Sequence, residues 1–348
     1  MTVVLPVDAH RPDRGVIERA AACLRAGGLV AFPTETVYGL GVHALDRAAV
    51  RRLFAAKGRP AHDPLIVHVA SFAGARALVA EMPPMAATLA ARFWPGPLTL
   101  VLAKSQAVPN EVTAGLATVA LRVPSHAVAQ ALLQASGIPI AAPSANLFSR
   151  PSPTRAAHVA ADLDGRIDLI LDGGPAIVGV ESTVVDLTGA QPRVLRPGGV
   201  PLEALASVLG APPLEVGPVD SSRPQPSPGL LERHYSPNAP LTLYEGPADQ
   251  VIEAIRSAAA EARQAGQRVG LLLVDEDLGK GIEGVVRSVG PAADLDAVAA
   301  NLYAALRELD NGAVDLILAH GFADARGVGP ALRDRLRRAA GRIVQCSR

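Results

Sequence analysis

Lys57, Arg59, Arg122 and Arg196 are the cations that stand out in the first two hundred residues. The same stretch also offers Thr36, Ser144, Asn146, Ser152 and Ser182, which supply hydroxyls and an amide. No Ser–His or Cys–His pair is spaced to suggest a covalent nucleophile. There is no H-E-x-x-H, no Cys-x-x-Cys pair, no Walker A sequence and no G-x-G-x-x-G. The inventory fits a site that works by positioning and charge neutralisation, as a polyphosphate substrate requires.

Five segments carry all of these residues except Arg122. In PTETVYGLG, Pro33–Gly41, a short buried strand delivers Thr34, Glu35, Thr36 and Tyr38 to the carboxyl edge of a sheet, where α/β proteins bind ligands. A capped turn into the next helix is the competing reading. In KGRPAHDPLIVHV, Lys57–Val69, two cations sit on a loop stiffened by Pro60 and Pro64. A planar guanidinium fork beside a point-charge ammonium suits phosphate; a solvated helix end is the alternative. His68 sits inside the following apolar strand, where a lone histidine is more often a satisfied core residue than a ligand.

AAPSANLFSRPSPT, Ala141–Thr154, runs a strand into small residues that let a ligand approach the backbone, with Ser144, Asn146 and Ser152 as hydrogen-bonding groups. GVESTVVD and VLRPGG bring Glu181, Ser182 and Arg196 to strand ends. Arg122, alone in an apolar strand, needs an anionic partner, either from the protein or from a substrate carboxylate.

The elements that must hold these residues alternate. Helices are expected at Gly15–Ala26, from Asp46 through Ala56, at His126–Ser136 and near Thr154–Leu163. Strands are expected at Leu29–Phe32, Leu65–Val69, Leu98–Leu102, Val119–Val123, Pro139–Ala142, Ile167–Leu171, Val184–Leu187 and Val194–Leu195. That is an α/β unit with a mainly parallel or mixed sheet. Prolines crowd residues 209–240, which read as a linker. Beyond it, strands at Leu241–Tyr244, Val269–Val274 and Val314–Leu318 alternate with helices at Ala248–Ala265, Asp294–Leu309 and Pro330–Ala340, a smaller Rossmann-like α/β unit. Gly327-Val328-Gly329 reads as a helix-entry turn, with a phosphate loop as the lesser alternative. The expected domains are 1–208, a linker 209–240 and 241–348.

Composition bounds the partners. The 348 residues carry 33 Lys+Arg against 33 Asp+Glu, so any basic surface for nucleic acid must be local. Aromatics at 3% supply few stacking platforms. Two cysteines exclude a disulfide scaffold and a four-cysteine zinc site. With no signal peptide or membrane span in view, the expectation is a cytoplasmic protein without membrane contact.

The segments PTETVYGLG, KGRP…PLIVHV, WPGPLTLVL, AAPSAN, GVEST and LRPG, in this order and spacing, resemble the YrdC-like domain of L-threonylcarbamoyladenylate synthases. HYSP in the linker and the ending GVGPALRDRLRRAAG resemble the long form of that family, which carries an extra C-terminal domain. The resemblance implies a twisted, open, mixed sheet with helices for the first domain. It also implies an enzyme that condenses L-threonine, bicarbonate or CO2, and ATP into threonylcarbamoyl-AMP with release of pyrophosphate. The product serves N6-threonylcarbamoyl modification of adenosine 37 in tRNA, through a separate transferase complex.

Carried over position by position, the resemblance implies that Thr36, His68, Arg122, the backbone at Ala142, and Ser182 hold threonine, with Arg122 on its carboxylate. Lys57 and Arg59 contact the phosphates as the catalytic cations. Thr118, Ser144, Asn146, Ser152 and Arg196 surround the nucleotide, and His234 or Tyr235 closes over it from the linker. Mg²⁺ arrives with ATP, and no protein metal ligand is identified. Asp63 stands where the family often has Asn or His. A carboxylate there repels phosphate unless it turns toward a metal or a cation.

Two other readings compete. Related carbamoyltransferases carry zinc or iron-site modules, for which two cysteines and a single histidine after residue 240 leave no room. A double-stranded RNA or tRNA-binding module without catalysis is the alternative from another class, and neutral net charge weighs against it. Weak contact with tRNA stays open as a secondary property.

Overall fold

The structure, a computed structural model, describes residues 1–210, 225, 229 and 233–347. Most of the Pro-rich segment therefore lies outside the described residues. The chain divides into two compact units. One comprises Met1–Phe148 and Ser152–Leu231; the other comprises Ser149–Pro151 and Glu232–Arg348.

The first unit holds a ten-stranded sheet. Its strands are β1 Val3–Pro6, β2 Val30–Pro33, β3 Tyr38–His43, β4 Ile66–His68, β5 Leu98–Ala103, β6 Thr118–Arg122, β7 Ile140–Ala141, β8 Leu169–Asp172, β9 Thr183–Asp186 and β10 Arg193–Arg196. They lie in the order β1-β8-β2-β3-β7-β4-β6-β5-β9-β10. Parallel pairs such as β4–β6 and β5–β9 mix with antiparallel ones such as β2–β3 and β5–β6.

Alternate residues of β2 serve two cores. Ala31 packs in the cluster of Val50, Leu53 and Leu89, whereas Val30 and Phe32 pack with Ile17, Leu24 and Leu132. Period-two alternation with both sets apolar is what a sheet covered on both faces demands. Each such fully buried aliphatic side chain contributes roughly 2 kcal/mol.

Strand β3 lies where the sequence suggests a loop. Gly39 and Gly41 depress strand propensity, yet the fold requires them. A Cβ on Gly41 would stand 2.8 Å from both Ile140 Cγ2 and Phe32 Cε1, so only glycine lets neighbouring side chains close over this strand. Strands β1, β13 and β15 and the helix Pro84–Phe93 also lack a sequence counterpart. All three strands end their sheets and carry exposed residues, Val4 in β1, Val285 in β13 and Ile343 in β15, so no buried pattern marks them.

The second unit is a five-stranded sheet of β11 Leu241–Glu245, β12 Val269–Leu273, β13 Val285–Ser288, β14 Leu316–His320 and β15 Arg342–Gln345. Every pairing in it is parallel. The strand order is β13-β12-β14-β11-β15, so the fourth strand of the unit is inserted between its second and first, unlike the Rossmann order. Gly327 has φ 56° and leads into the helix Gly329–Ala339, which makes Gly327–Gly329 a helix-entry turn. Among the described residues no helix is long and apolar enough to cross a membrane.

Candidate active site

A polar row crosses the first sheet. His68 in β4 lies opposite Arg122 in β6. Thr99 in β5 sits one residue beyond the Leu100–Leu121 pair of β5 and β6. Its hydroxyl lies 2.8 Å from the Ser182 hydroxyl, just ahead of β9. Arg196, the last residue of β10, donates to the Ser182 carbonyl oxygen at 3.0 Å through Nη2 and at 3.3 Å through Nε. All five side chains are buried, in a sheet otherwise packed with aliphatics. Thr99 carried no role from sequence; its only signal is a hydroxyl within the apolar run LTLVL.

The hairpin between β2 and β3 lies against this row. Thr34 Oγ1 donates to the Val37 carbonyl at 2.6 Å and lies 2.8 Å from Thr36 Oγ1, which locks the turn. Val178 N donates to the Glu35 carbonyl at 2.8 Å, and Gly179 N to that of Thr36 at 3.1 Å. The hairpin carries Glu35 inward, where Oε1 is 2.7 Å from Arg122 Nη2. The anionic partner of Arg122 is thus a protein carboxylate, one that the sequence reading places at the sheet edge without a role. Arg122 Nε donates to the Gly96 carbonyl at 3.3 Å. Among the described residues, no hydrogen bond or ion pair engages Nη1.

Burial, and after it the nearby Arg122 charge, bring the His68 imidazole down to a pKa of about 3. His68 is therefore neutral at pH 7. Its Nδ1 is buried with no hydrogen-bond partner among the described residues. The Phe32 ring meets the imidazole edge-on at 6.4 Å.

Lys57 and Arg59 are both committed to protein groups. The helix Arg47–Lys57 ends at Gly58, φ 62°, and the chain reverses there, with Arg59 N bonded to the Phe54 carbonyl at 3.0 Å. Lys57 is 2% exposed, and its Nζ donates to the main-chain carbonyls of Ser144, at 2.6 Å, and Asn146. Arg59 donates to the carbonyls of Asp63 at 3.1 Å and Pro64 at 2.9 Å, and pairs with the Asp63 carboxylate at 2.9 Å. The Asp63 carboxylate thus turns to a cation, the condition under which it does not repel phosphate. Burial pushes its carboxyl up while Arg59 opposes that shift.

The remaining predicted residues are placed as follows. Ala142 N donates to the Ile66 carbonyl at 2.9 Å, which seats its backbone beside β4. Ser144 bridges Gly39 of β3. Asn146 Nδ2 donates to the Leu147 carbonyl at 2.7 Å, and Ser152 Oγ to Glu181 at 2.6 Å. Thr118 opens β6, half-buried and at the end of the strand opposite Arg122. His234 and Tyr235 belong to the second unit, where their rings meet edge-on at 4.1 Å. There Tyr235 packs 5.7 Å from the Tyr303 ring and beneath the Arg335 guanidinium.

Comparison with known proteins gives a consistent result. A family model described as "Telomere recombination" matches residues 22–198, and one described as "Threonylcarbamoyl-AMP synthase, C-terminal domain" matches residues 200–341. The chain is 47% identical to the threonylcarbamoyl-AMP synthase of Pyrococcus abyssi, over 99% of this chain and 100% of that one. It is 49% identical to that of Bacillus subtilis, over 94% of each. The solved structure of P. abyssi Sua5 complexed with L-threonine superposes with a TM-score of 0.92 at 46% identity, covering 99% of both chains. Escherichia coli YciO matches 57% of this chain and 96% of its own at a TM-score of 0.51 and 26% identity. With both regions matched and near-complete coverage of full-length relatives, the chain belongs to the threonylcarbamoyl-AMP synthase family.

Proposed function

We propose that this chain condenses L-threonine, bicarbonate or CO2, and Mg·ATP into L-threonylcarbamoyl-AMP and pyrophosphate, for use in N6-threonylcarbamoyladenosine synthesis on tRNA by a separate transferase. The observation that carries this reading is near-full-length identity of 47–49% to synthases of that name. That identity does not favour the RNA-binding alternative.

In this reading, the Arg122 guanidinium takes the threonine carboxylate on its Nη1 edge. Neutral His68, Thr36, Ser182 and the Ala142 backbone line the same pocket. The threonine ammonium first gives up a proton to solvent. The free amine then adds to the carbon of CO2 as one C=O π bond opens, and loss of a second proton from nitrogen leaves the carbamate. A carbamate oxygen then attacks the α-phosphorus, and the bond to the bridging oxygen of pyrophosphate breaks. The carbamate is the nucleophile, so the protein needs none of its own.

Both reactants are anionic, and cations offset their repulsion. Lys57 and Arg59 contribute by shaping the loops 144–146 and 59–64 that cradle the nucleotide, with their charge at short range. Asp63 sits in that cradle neutralised by Arg59. Thr118, Ser144, Asn146, Ser152 and Arg196 complete the nucleotide side, and His234 with Tyr235 closes over ATP. Mg²⁺ enters as part of the nucleotide substrate.

Incubation with Mg·ATP, bicarbonate and each amino acid in turn tests the reading. Pyrophosphate release that depends on threonine supports it. Release with no amino-acid preference, or none at all, overturns it.

A further inference from the structure

Glu35 is an unusual side chain for its position. It is 6% exposed, at the tip of a hairpin whose main chain is pinned by the bonds from Val178 and Gly179. Both of its carboxylate oxygens are buried and lack hydrogen-bond geometry with any donor among the described residues. Among the described residues its ion-pair partner is Arg122 Nη2. Buried carboxylates almost always collect several donors, because the charged form is otherwise costly. This one is held by charge alone, so a further cation placed beside it gains.

Arg122, Glu35 and His68 together carry no net charge. Arg122 contributes one positive charge, Glu35 one negative, and neutral His68 none. A lone buried arginine attracts any anion, including the triphosphate that this chemistry requires next door. A neutral ion pair attracts no net charge and instead presents a dipole. An amino acid at neutral pH is the complementary object, with carboxylate and ammonium on one carbon.

We propose that Glu35 and Arg122 act as one ion pair that selects an amino-acid zwitterion over a simple carboxylate. Arg122 Nη1 takes the carboxylate, and the Glu35 charge favours the ammonium beside it. Glu35 is thereby a specificity-determining residue that keeps hydroxy acids and phosphates off Arg122. This rests on the synthase reading above, in which Arg122 meets the substrate carboxylate.

The test is calorimetric titration of the full chain with L-threonine and with 2,3-dihydroxybutanoate, which replaces the amine by a hydroxyl. The unaltered protein is expected to prefer threonine by at least about tenfold, since a site built for a charged group rejects the analogue that lacks it. Glu35→Gln keeps the size and removes the charge. In that variant the preference is expected to fall to about one, partly because the analogue binds better. Glu35→Asp keeps the charge and is expected to retain the preference.

Equal weakening of both ligands in Glu35→Gln means that Glu35 only holds Arg122 in place, and overturns the inference alone. So does loss of the preference in Glu35→Asp. Failure of the unaltered chain to bind threonine overturns the synthase reading, and this inference with it.

Discussion

Lys57 Nζ reaches the main-chain carbonyls of Ser144 and Asn146, nearly ninety residues further along the chain. The last residue of one helix thereby fixes the loop that leaves β7. An ammonium that sequence places on phosphate thus serves as the staple of the loop at residues 144–146, and Phe148 N closes the junction by donating to the Lys57 carbonyl at 2.9 Å.

Removing that staple costs stability as well as activity. Lys57→Ala leaves two carbonyls without their donor, at about 1–3 kcal/mol each where they stay buried. We expect a loss of about 2–4 kcal/mol in urea denaturation and at least roughly hundredfold slower pyrophosphate release. Lys57→Met, which restores bulk but no donor, recovers only part of the stability. Unchanged stability in both variants argues against the staple.

Arg122→Ala removes the proposed carboxylate contact and strands Glu35 in a buried site. The KM for threonine is expected to rise roughly a hundredfold, with a much smaller change for ATP. Equal effects on both substrates contradict the placement of threonine at this residue.

His68 makes stability depend on pH. The unfolded imidazole takes a proton below about pH 6.5, whereas the folded one resists until about pH 3. Over that window the native state binds fewer protons, so its contribution is complete above pH 6.5 and declines as pH falls toward 3. Between pH 6.5 and roughly pH 5 the loss is about 2 kcal/mol. His68→Gln flattens the profile by that amount in chemical denaturation. A variant as steep as the unaltered protein refutes it.

Gly198 packs directly on the segment that carries Ser182. A Cβ there collides with the Glu181 carbonyl and the backbone of Ser182 and Thr183. Gly198→Ala must displace that segment, at about 1–3 kcal/mol. We expect threonine-dependent turnover to drop at least about tenfold, with the loss appearing in KM for threonine. Normal kinetics would show that the Ser182 position tolerates the shift.

His234 and Tyr235 separate by role. Tyr235 adopts φ 61° and packs against Tyr303 and Arg335, so Tyr235→Ala lowers the stability of the second unit by about 3 kcal/mol in scanning calorimetry. His234→Ala is expected to weaken ATP binding roughly tenfold, about 1.4 kcal/mol, and to leave threonine binding unchanged. ATP affinity equal to that of the unaltered chain removes His234 from the nucleotide site.

The sequence alone determined the α/β class, the two-part organisation and the segments proposed to build the site. Each of these is written in local signals: apolar alternation, caps such as Asp46, and polar residues at strand ends. Edge strands β1 and β15 and the glycine-bearing β3 escaped it, since their residues are explained by neighbours rather than by local propensity. Only the tertiary structure decided which charges meet. Glu35 with Arg122, Arg59 with Asp63, and Lys57 with two carbonyls depend on sheet register and loop reversal. A buried cation announces that it has a partner, and the fold, by choosing which groups share its desolvated space, names that partner.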